Sequence, residues 1–179
     1  MKILVPLAEG FEEIETMTIV DILRRAGLKV VTAGLSGMRI KGSRKVKVIA
    51  DAELKNINPE EFTAIVLPGG YPGYLNLSNS EKVLEIIKEF NSQNKMVAAI
   101  CGGPTVLAKA GILNNRNATV YPGLEKELPN PTDKKVVIDG NVITSQGPGT
   151  AMEFTLKLVE ILSGEDKAKE IKEQLLFKD

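Results

Sequence analysis

The chain has no histidine and only one cysteine. Without an imidazole, every mechanism that needs a histidine base is closed to it: Cys-His pairs, Ser-His-Asp arrangements and His-ligated metal sites. One cysteine makes no internal disulfide, so nothing requires an oxidising compartment. The same shortage leaves too few ligands for a structural zinc site. Excess charge of either sign is also missing: 23 Lys and Arg balance 23 Asp and Glu. A general nucleic-acid binder carries a basic field, and this chain has none. Its apolar runs are too short to span a bilayer. Met1-Lys2 passes straight into Ile3-Leu4-Val5 with no signal-like segment, so the expected location is cytoplasmic. Repeats, low-complexity tracts and linkers are absent too. What is present is 179 residues, 43% hydrophobic and 26% charged, a balance that suits one globular α/β domain over residues 1–179.

The chain is organised around Met96-Val97-Ala98-Ala99-Ile100-Cys101-Gly102-Gly103-Pro104. The apolar residues predict a short buried strand. Two glycines allow a sharp turn, and Pro104 fits the first turn of a helix, where its missing N–H costs nothing. Strand, cysteine and helix in that order have the mechanics of a nucleophile elbow. A helix N-terminus beneath Cys101 favours the thiolate. A lone cysteine after an apolar strand is also a common small buried hydrophobe, and this stretch alone leaves both readings open.

Around it, Ile3 to Leu7, Leu28 to Ala33 and Ala64 to Leu67 read as buried strands, and Val46 to Ala50 as an edge strand after a turn at 41–44. A helix is predicted from Glu13 to Arg25, with Ile19, Ile22, Leu23 and Ala26 on one face. Four residues before Ile19 stands Glu15, so a carboxylate begins the buried stripe. Ser80 to Gln93 predicts an amphipathic helix capped by Ser80. Pro104 to Ala110 predicts a helix, Ala118 to Tyr121 a short strand, and residues 136–144 a hairpin. Thr150 is the expected cap of a helix ending near Leu162, and a last helix runs from Glu165 to Leu175. Strands alternating with helices imply a mainly parallel sheet covered on both faces.

In such sheets ligands bind beyond the carboxyl ends of the strands, at the switch point. The loops at 8–12, 68–73 and 101–104 are expected to meet there, bringing Glu15 to Cys101. A carboxyl beside a thiolate and away from water has a raised pKa. It can then stay protonated, hydrogen-bond the sulfur and move a proton. The backbone N–H groups of Gly102, Gly69 and Gly70 are candidates for an oxyanion site. The segment Gln146-Gly147-Pro148-Gly149 lacks the Gly-Lys-Ser/Thr ending of a phosphate loop.

These residues carry a resemblance. Residues 8–16, Val20-Asp21 with Arg24-Arg25-Ala26-Gly27, Leu67-Pro68-Gly69-Gly70, residues 98–104 and Thr144 to Thr150 are similar to the ThiJ/PfpI superfamily, within it the Parkinson-disease deglycase branch. The resemblance implies a flavodoxin-like three-layer sandwich, a homodimer, Cys101 as the reactive, oxidation-sensitive thiol and Glu15 as its carboxyl partner. It implies that Arg44, with Ser43, reaches the cysteine pocket from the other subunit. Arg24 and Arg25 match arginines near the pocket and dimer surface, and Pro148 falls in a matched segment on the pocket side. Tyr121 stands where the branch often has a histidine, Gly102 where the protease-like branch has one, and Gln146 where similar proteins can carry an arginine.

The implied activity is cofactor-independent: a glyoxalase or deglycase acting on methylglyoxal, glyoxal or their early glycation adducts. It proceeds through a hemithioacetal at Cys101, with Glu15 as general acid and base. The alternative is a redox-sensing stress chaperone working through oxidation of Cys101. A cysteine peptidase is the least supported reading. No metal, membrane or stable nucleic-acid partner is expected.

Overall fold

The computed structural model describes residues 1–178. Its strands are β1 (Lys2–Leu7), β2 (Lys29–Gly34), β3 (Arg39–Lys41), β4 (Lys47–Ile49), β5 (Ala52–Glu53), β6 (Ala64–Leu67), β7 (Met96–Ile100), β8 (Val136–Asp139) and β9 (Val142–Ser145). Its helices are α1 (Glu13–Arg25), α2 (Gly73–Ser78), α3 (Glu81–Ser92), α4 (Gly103–Lys109), α5 (Ala151–Ser163) and α6 (Glu165–Gln174). Seven strands form one sheet in the order β5-β2-β1-β6-β7-β9-β8. Every pair in it is parallel except β8 with β9.

The central strands are buried along nearly their whole length because helices cover both faces. One core holds Ile19, Ile22 and Leu23 of α1, Phe154 and Leu158 of α5, and Ile171 of α6. The other holds Val83, Ile87 and Phe90 of α3 with Val106 and Leu107 of α4. Each fully buried aliphatic or phenylalanine side chain contributes about 1.5–3 kcal/mol. The chain builds β2 on one side of β1 and β6, then β7, on the other. The switch point is therefore between β1 and β6, and the chain leaving each of these strands enters the same crevice.

The helix caps are mixed. Ser80 accepts the Val83 N–H as expected, at 3.4 Å. Thr150 precedes α5 but makes no cap bond. Its hydroxyl is engaged instead with Ser145 and Gly147. Two other expectations change, and one helix was not expected. The region 46–50 is no edge of the main sheet, because β4 pairs antiparallel with β3 in a separate hairpin. Residues 118–121 form no strand: Ala118 makes one isolated bridge to Pro131, and Tyr121 donates its N–H to the Cys101 carbonyl. Helix α2 lies in a stretch without charged residues or an N-terminal side-chain cap, so nothing local signals it.

The hairpin is tied to α1 by Glu13, which is 9% exposed. Its carboxylate accepts from Ser43 Oγ at 3.0 Å and from the Arg44 N–H at 2.6 Å, with Val46 N–H farther at 3.4 Å. A charged acceptor with such partners is worth about 1.5–3 kcal/mol per good bond. Glu13→Ala is therefore expected to lower stability by about 1–3 kcal/mol and to open the 42–46 turn. Urea unfolding and limited proteolysis at Arg44 and Lys45 check this; unchanged cleavage would show that the hairpin does not depend on Glu13.

Candidate functional site

Cys101 is the first of the two residues between β7 and α4. Its φ is +62°, a left-handed conformation that costs a non-glycine residue about 1–3 kcal/mol. Backbone bonds on both sides hold it there. Its N–H donates to the Ser145 carbonyl at 3.0 Å, and its carbonyl accepts the Tyr121 N–H at 3.0 Å. The side chain is thus turned out of the strand direction at the carboxyl end of a central strand, and it stays half-buried.

Glu15 comes from the first turn of α1. Glu12 caps that helix by accepting the Glu15 N–H at 2.8 Å, and the helix stripe turns the Glu15 side chain inward. Glu15 has no exposed surface. Its Oε2 accepts the Gly69 N–H at 2.8 Å. Oε1 is buried without a conventional partner among the described residues, and the interaction left to the carboxyl is with the Cys101 thiol. Gly69 is the spacer between the two groups. A methyl group there would stand 2.6 Å from Cys101 Cβ, 2.9 Å from Sγ and 3.0 Å from Glu15 Oε2. Gly70, at φ +93°, crosses within 2.2–2.5 Å of where a methyl would meet the backbone of residues 10–12, so only glycine fits.

The three loops after β1, β6 and β7 therefore meet as the parallel topology predicts. The oxyanion expectation needs correction at one member. The Gly69 N–H is spent on Glu15, whereas those of Gly70 and Gly102 favour the charged form of Cys101. Arg44, Tyr121 and Pro148 line the same cleft as Cys101, with a volume of about 490 Å³. Arg44 lines it from its own chain. Arg24 and Arg25 do not reach it. They sit at the far end of α1, nine and ten residues beyond Glu15, about 14–15 Å along the axis. There Arg24 bonds Asp51 at 2.7 Å and Arg25 bonds Asp21 at 2.6 Å. Gln146 bonds Asp133.

Two tyrosines on the cleft, Tyr71 and Tyr74, were not among the expected residues. Their signal was available: the chain has three tyrosines in all, and two stand within the five-residue stretch Gly70-Tyr71-Pro72-Gly73-Tyr74 that leads into α2. Among the described residues, no group of three His, Cys, Asp or Glu is placed to hold a metal ion.

Burial dominates the electrostatics. It pushes the Glu15 carboxyl up to about 7, against the lowering effect of the Gly69 N–H and the thiol. It pushes the Cys101 thiol up to about 12, helped by the Glu15 charge and opposed by the N–H groups of Gly70 and Gly102. The expected bias of the helix end toward thiolate is thus outweighed, first by burial and then by the neighbouring Glu15 charge. Two groups that oppose each other's charge titrate as a pair. Between about 7 and about 12 the pair carries one negative charge and one proton.

A family model described as the DJ-1/PfpI family matches residues 1–161. Protein dj-1beta of Drosophila melanogaster is 44% identical over 178 residues, 97% of this chain and 95% of that protein. Glutathione-independent glyoxalase DJR-1.2 of Caenorhabditis elegans is 39% identical over 162 residues, 89% of this chain and 87% of that protein. A solved structure of oxidized DJ-1 from Toxoplasma gondii superposes with a TM-score of 0.96 at 37% identity, covering 99% of each chain.

The shared proton has a measurable consequence. Ionisation near about 7 gives the Glu15 carboxylate and leaves the Cys101 thiol protonated, so alkylation of Cys101 by iodoacetamide is expected to stay slow through neutral pH and to rise only toward about 12. Glu15→Gln removes the carboxylate charge that raises the thiol and is expected to move this rise to lower pH, toward the ordinary thiol range of about 8.5. Intact-mass rates across pH 5–10 check it; identical profiles for the two proteins would mean the carboxyl and thiol are independent.

Proposed function

The chain belongs to the DJ-1/PfpI family, and on that premise we propose that it is a cysteine-dependent glyoxalase that needs neither glutathione nor a metal. The observation that carries this reading is the fully buried Glu15 carboxyl against the chain's one cysteine. The name of the Caenorhabditis elegans relative supports the reaction class.

Cys101 adds to the aldehyde carbon of methylglyoxal as its proton passes to Glu15 or the substrate oxygen, giving a hemithioacetal. Glu15 then takes the proton from that carbon and returns one to the neighbouring carbon through an enediol. The result is a lactoyl thioester on Cys101. Water hydrolyses it to lactate and restores the thiol, so methylglyoxal and water become lactate and a proton. In this reading the N–H groups of Gly70 and Gly102 turn from the sulfur to the charge that develops on the adding oxygen. Glyoxal gives glycolate by the same steps, and an early glycation adduct that presents its aldehyde carbon enters at the first.

A hydrolytic peptidase site is poorly served by this geometry. A side chain at position 102 would meet the Tyr74 ring at 2.5–2.8 Å, so the histidine that follows the cysteine in the protease-like branch has no room. The homodimer belongs to the same proposal. Ile14 on α1 and Ile49 on the hairpin are 58% and 72% exposed, open apolar side chains on elements that flank the cleft. Sedimentation equilibrium is expected to give twice the chain mass; a monomer at micromolar concentration removes the dimer from the reading.

Lactate should form from methylglyoxal without added thiol or metal. Cys101→Ser is expected to abolish it, and Glu15→Gln to lower kcat by about 10²–10⁴-fold, the usual contribution of a positioned acid–base group. Lactate release measured side by side for the three proteins is the test, and undiminished turnover in both variants defeats the mechanism.

A further inference from the structure

All three of the chain's tyrosines stand on one cleft. Tyr71, Tyr74 and Tyr121 line the opening above Cys101, and the chain has no tryptophan or histidine there or elsewhere. Tyr71 and Tyr121 are 70% and 48% exposed, aromatic surface left open at the mouth of a site. Tyr74 forms an inner wall, its ring packed over Gly102 next to the sulfur. The cleft is far larger than a three-carbon aldehyde needs. About 490 Å³ falls in the range that accepts drug-sized ligands.

Rings of this kind take either a cation or another flat ring. The neighbouring charges decide between them. Arg44 lines the same cleft and makes no ion pair or side-chain hydrogen bond among the described residues, so it opposes a cationic guest. The Glu12 carboxylate lines it too and offsets Arg44, so these two charges leave no net attraction for a cation. A neutral flat group on the substrate meets three tyrosines and no net charge from this pair.

We propose that the tyrosine collar makes this protein selective for aryl-substituted α-oxoaldehydes over small aliphatic ones. The proposal rests on the glyoxalase reading and names its substrate class. The aldehyde carbon meets Cys101 and the aryl group lies among the tyrosines. Phenylglyoxal plus water then becomes mandelate: the aldehyde carbon is oxidised to carboxyl as the ketone carbon is reduced to carbinol, with no outside oxidant or reductant.

The test measures kcat/KM for phenylglyoxal and methylglyoxal through mandelate and lactate release. A second arm binds benzoylformate and pyruvate, which share the α-keto acid and differ in the aryl group, to Cys101→Ser by tyrosine fluorescence. The wild-type ratio is expected to favour phenylglyoxal by tenfold or more. Tyr121→Ala and Tyr74→Leu should each reduce that ratio about two- to twelvefold, the range of one aromatic contact. Tyr71→Ala, at an open position, keeps the test valid if Tyr74→Leu does not fold. Benzoylformate should bind at least tenfold tighter than pyruvate. Cys101-dependent turnover of methylglyoxal with a ratio at or below one, or a ratio the tyrosine variants leave unchanged, overturns the collar and leaves the glyoxalase reading intact. Turnover of neither aldehyde defeats the glyoxalase reading, and the binding arm then decides the collar: equal affinity of the two acids overturns it.

Discussion

A carboxyl group with no exposed surface, set against a half-buried thiol, is the constraint on which the rest of this structure depends. Burying Glu15 is costly unless its oxygens are bonded. One oxygen is satisfied by the Gly69 N–H. Supplying that donor requires the chain after β6 to pass directly beside the carboxyl, and the same passage brings Gly69 against the Cys101 side chain. A residue with any side chain at 69 would separate the two groups. The parallel order of β1, β6 and β7 then places all three carboxyl ends together. Sheet topology, the glycine turn and the helix start at Glu12 are different aspects of one requirement, to hold an acid next to a sulfur away from water.

The absence of histidine follows the same logic. A histidine beside a thiol forms an ion pair that is stable around neutral pH. A carboxyl beside a thiol cannot: both ionise to anions, so each raises the other. The pair settles on one shared charge and one shared proton over a broad range. That state contains a nucleophile and a proton carrier together, and moving the proton between them does not change the net charge of the buried space. Chemistry that adds at one carbon and relocates a proton to the next suits it.

Much of this was legible in the amino-acid order, and what was not has local reasons. The stripe of Ile19, Ile22, Leu23 and Ala26 pointed inward, and counting back one turn put Glu15 on it. Apolar runs with glycine ends gave the strands of the parallel sheet. Helix α2 escaped because Gly73 to Ser78 has no periodic apolar face or cap of its own, and it is held by its packing against α4 and α3. The region 46–50 alternates as an edge strand does, but a sequence does not say which sheet an edge belongs to. Thr150 has the chemistry of a cap, yet two nearer partners take its hydroxyl. Arg24 and Arg25 were placed near the pocket and the dimer surface by resemblance alone; a count of helix turns from Glu15 puts them at the opposite end of α1, away from the pocket.

The site also divides its work between backbone and side chains. Its floor is made of peptide N–H groups from Gly69, Gly70 and Gly102, with two side chains, Glu15 and Cys101, standing in it. A floor of this kind leaves little room for substitution, since a methyl at 69 collides with both reacting groups and one at 70 collides with backbone. The rim is the reverse. Tyr71 and Tyr121 project from loops after β6 and before β8, with large exposed surface and few packing obligations. Changing them disturbs neither the sheet nor the buried pair. The physical cost of altering the chemistry is therefore high and that of altering what enters the cleft is low. Differences in substrate among proteins with this floor should accordingly reside in rim residues such as these tyrosines and Arg44.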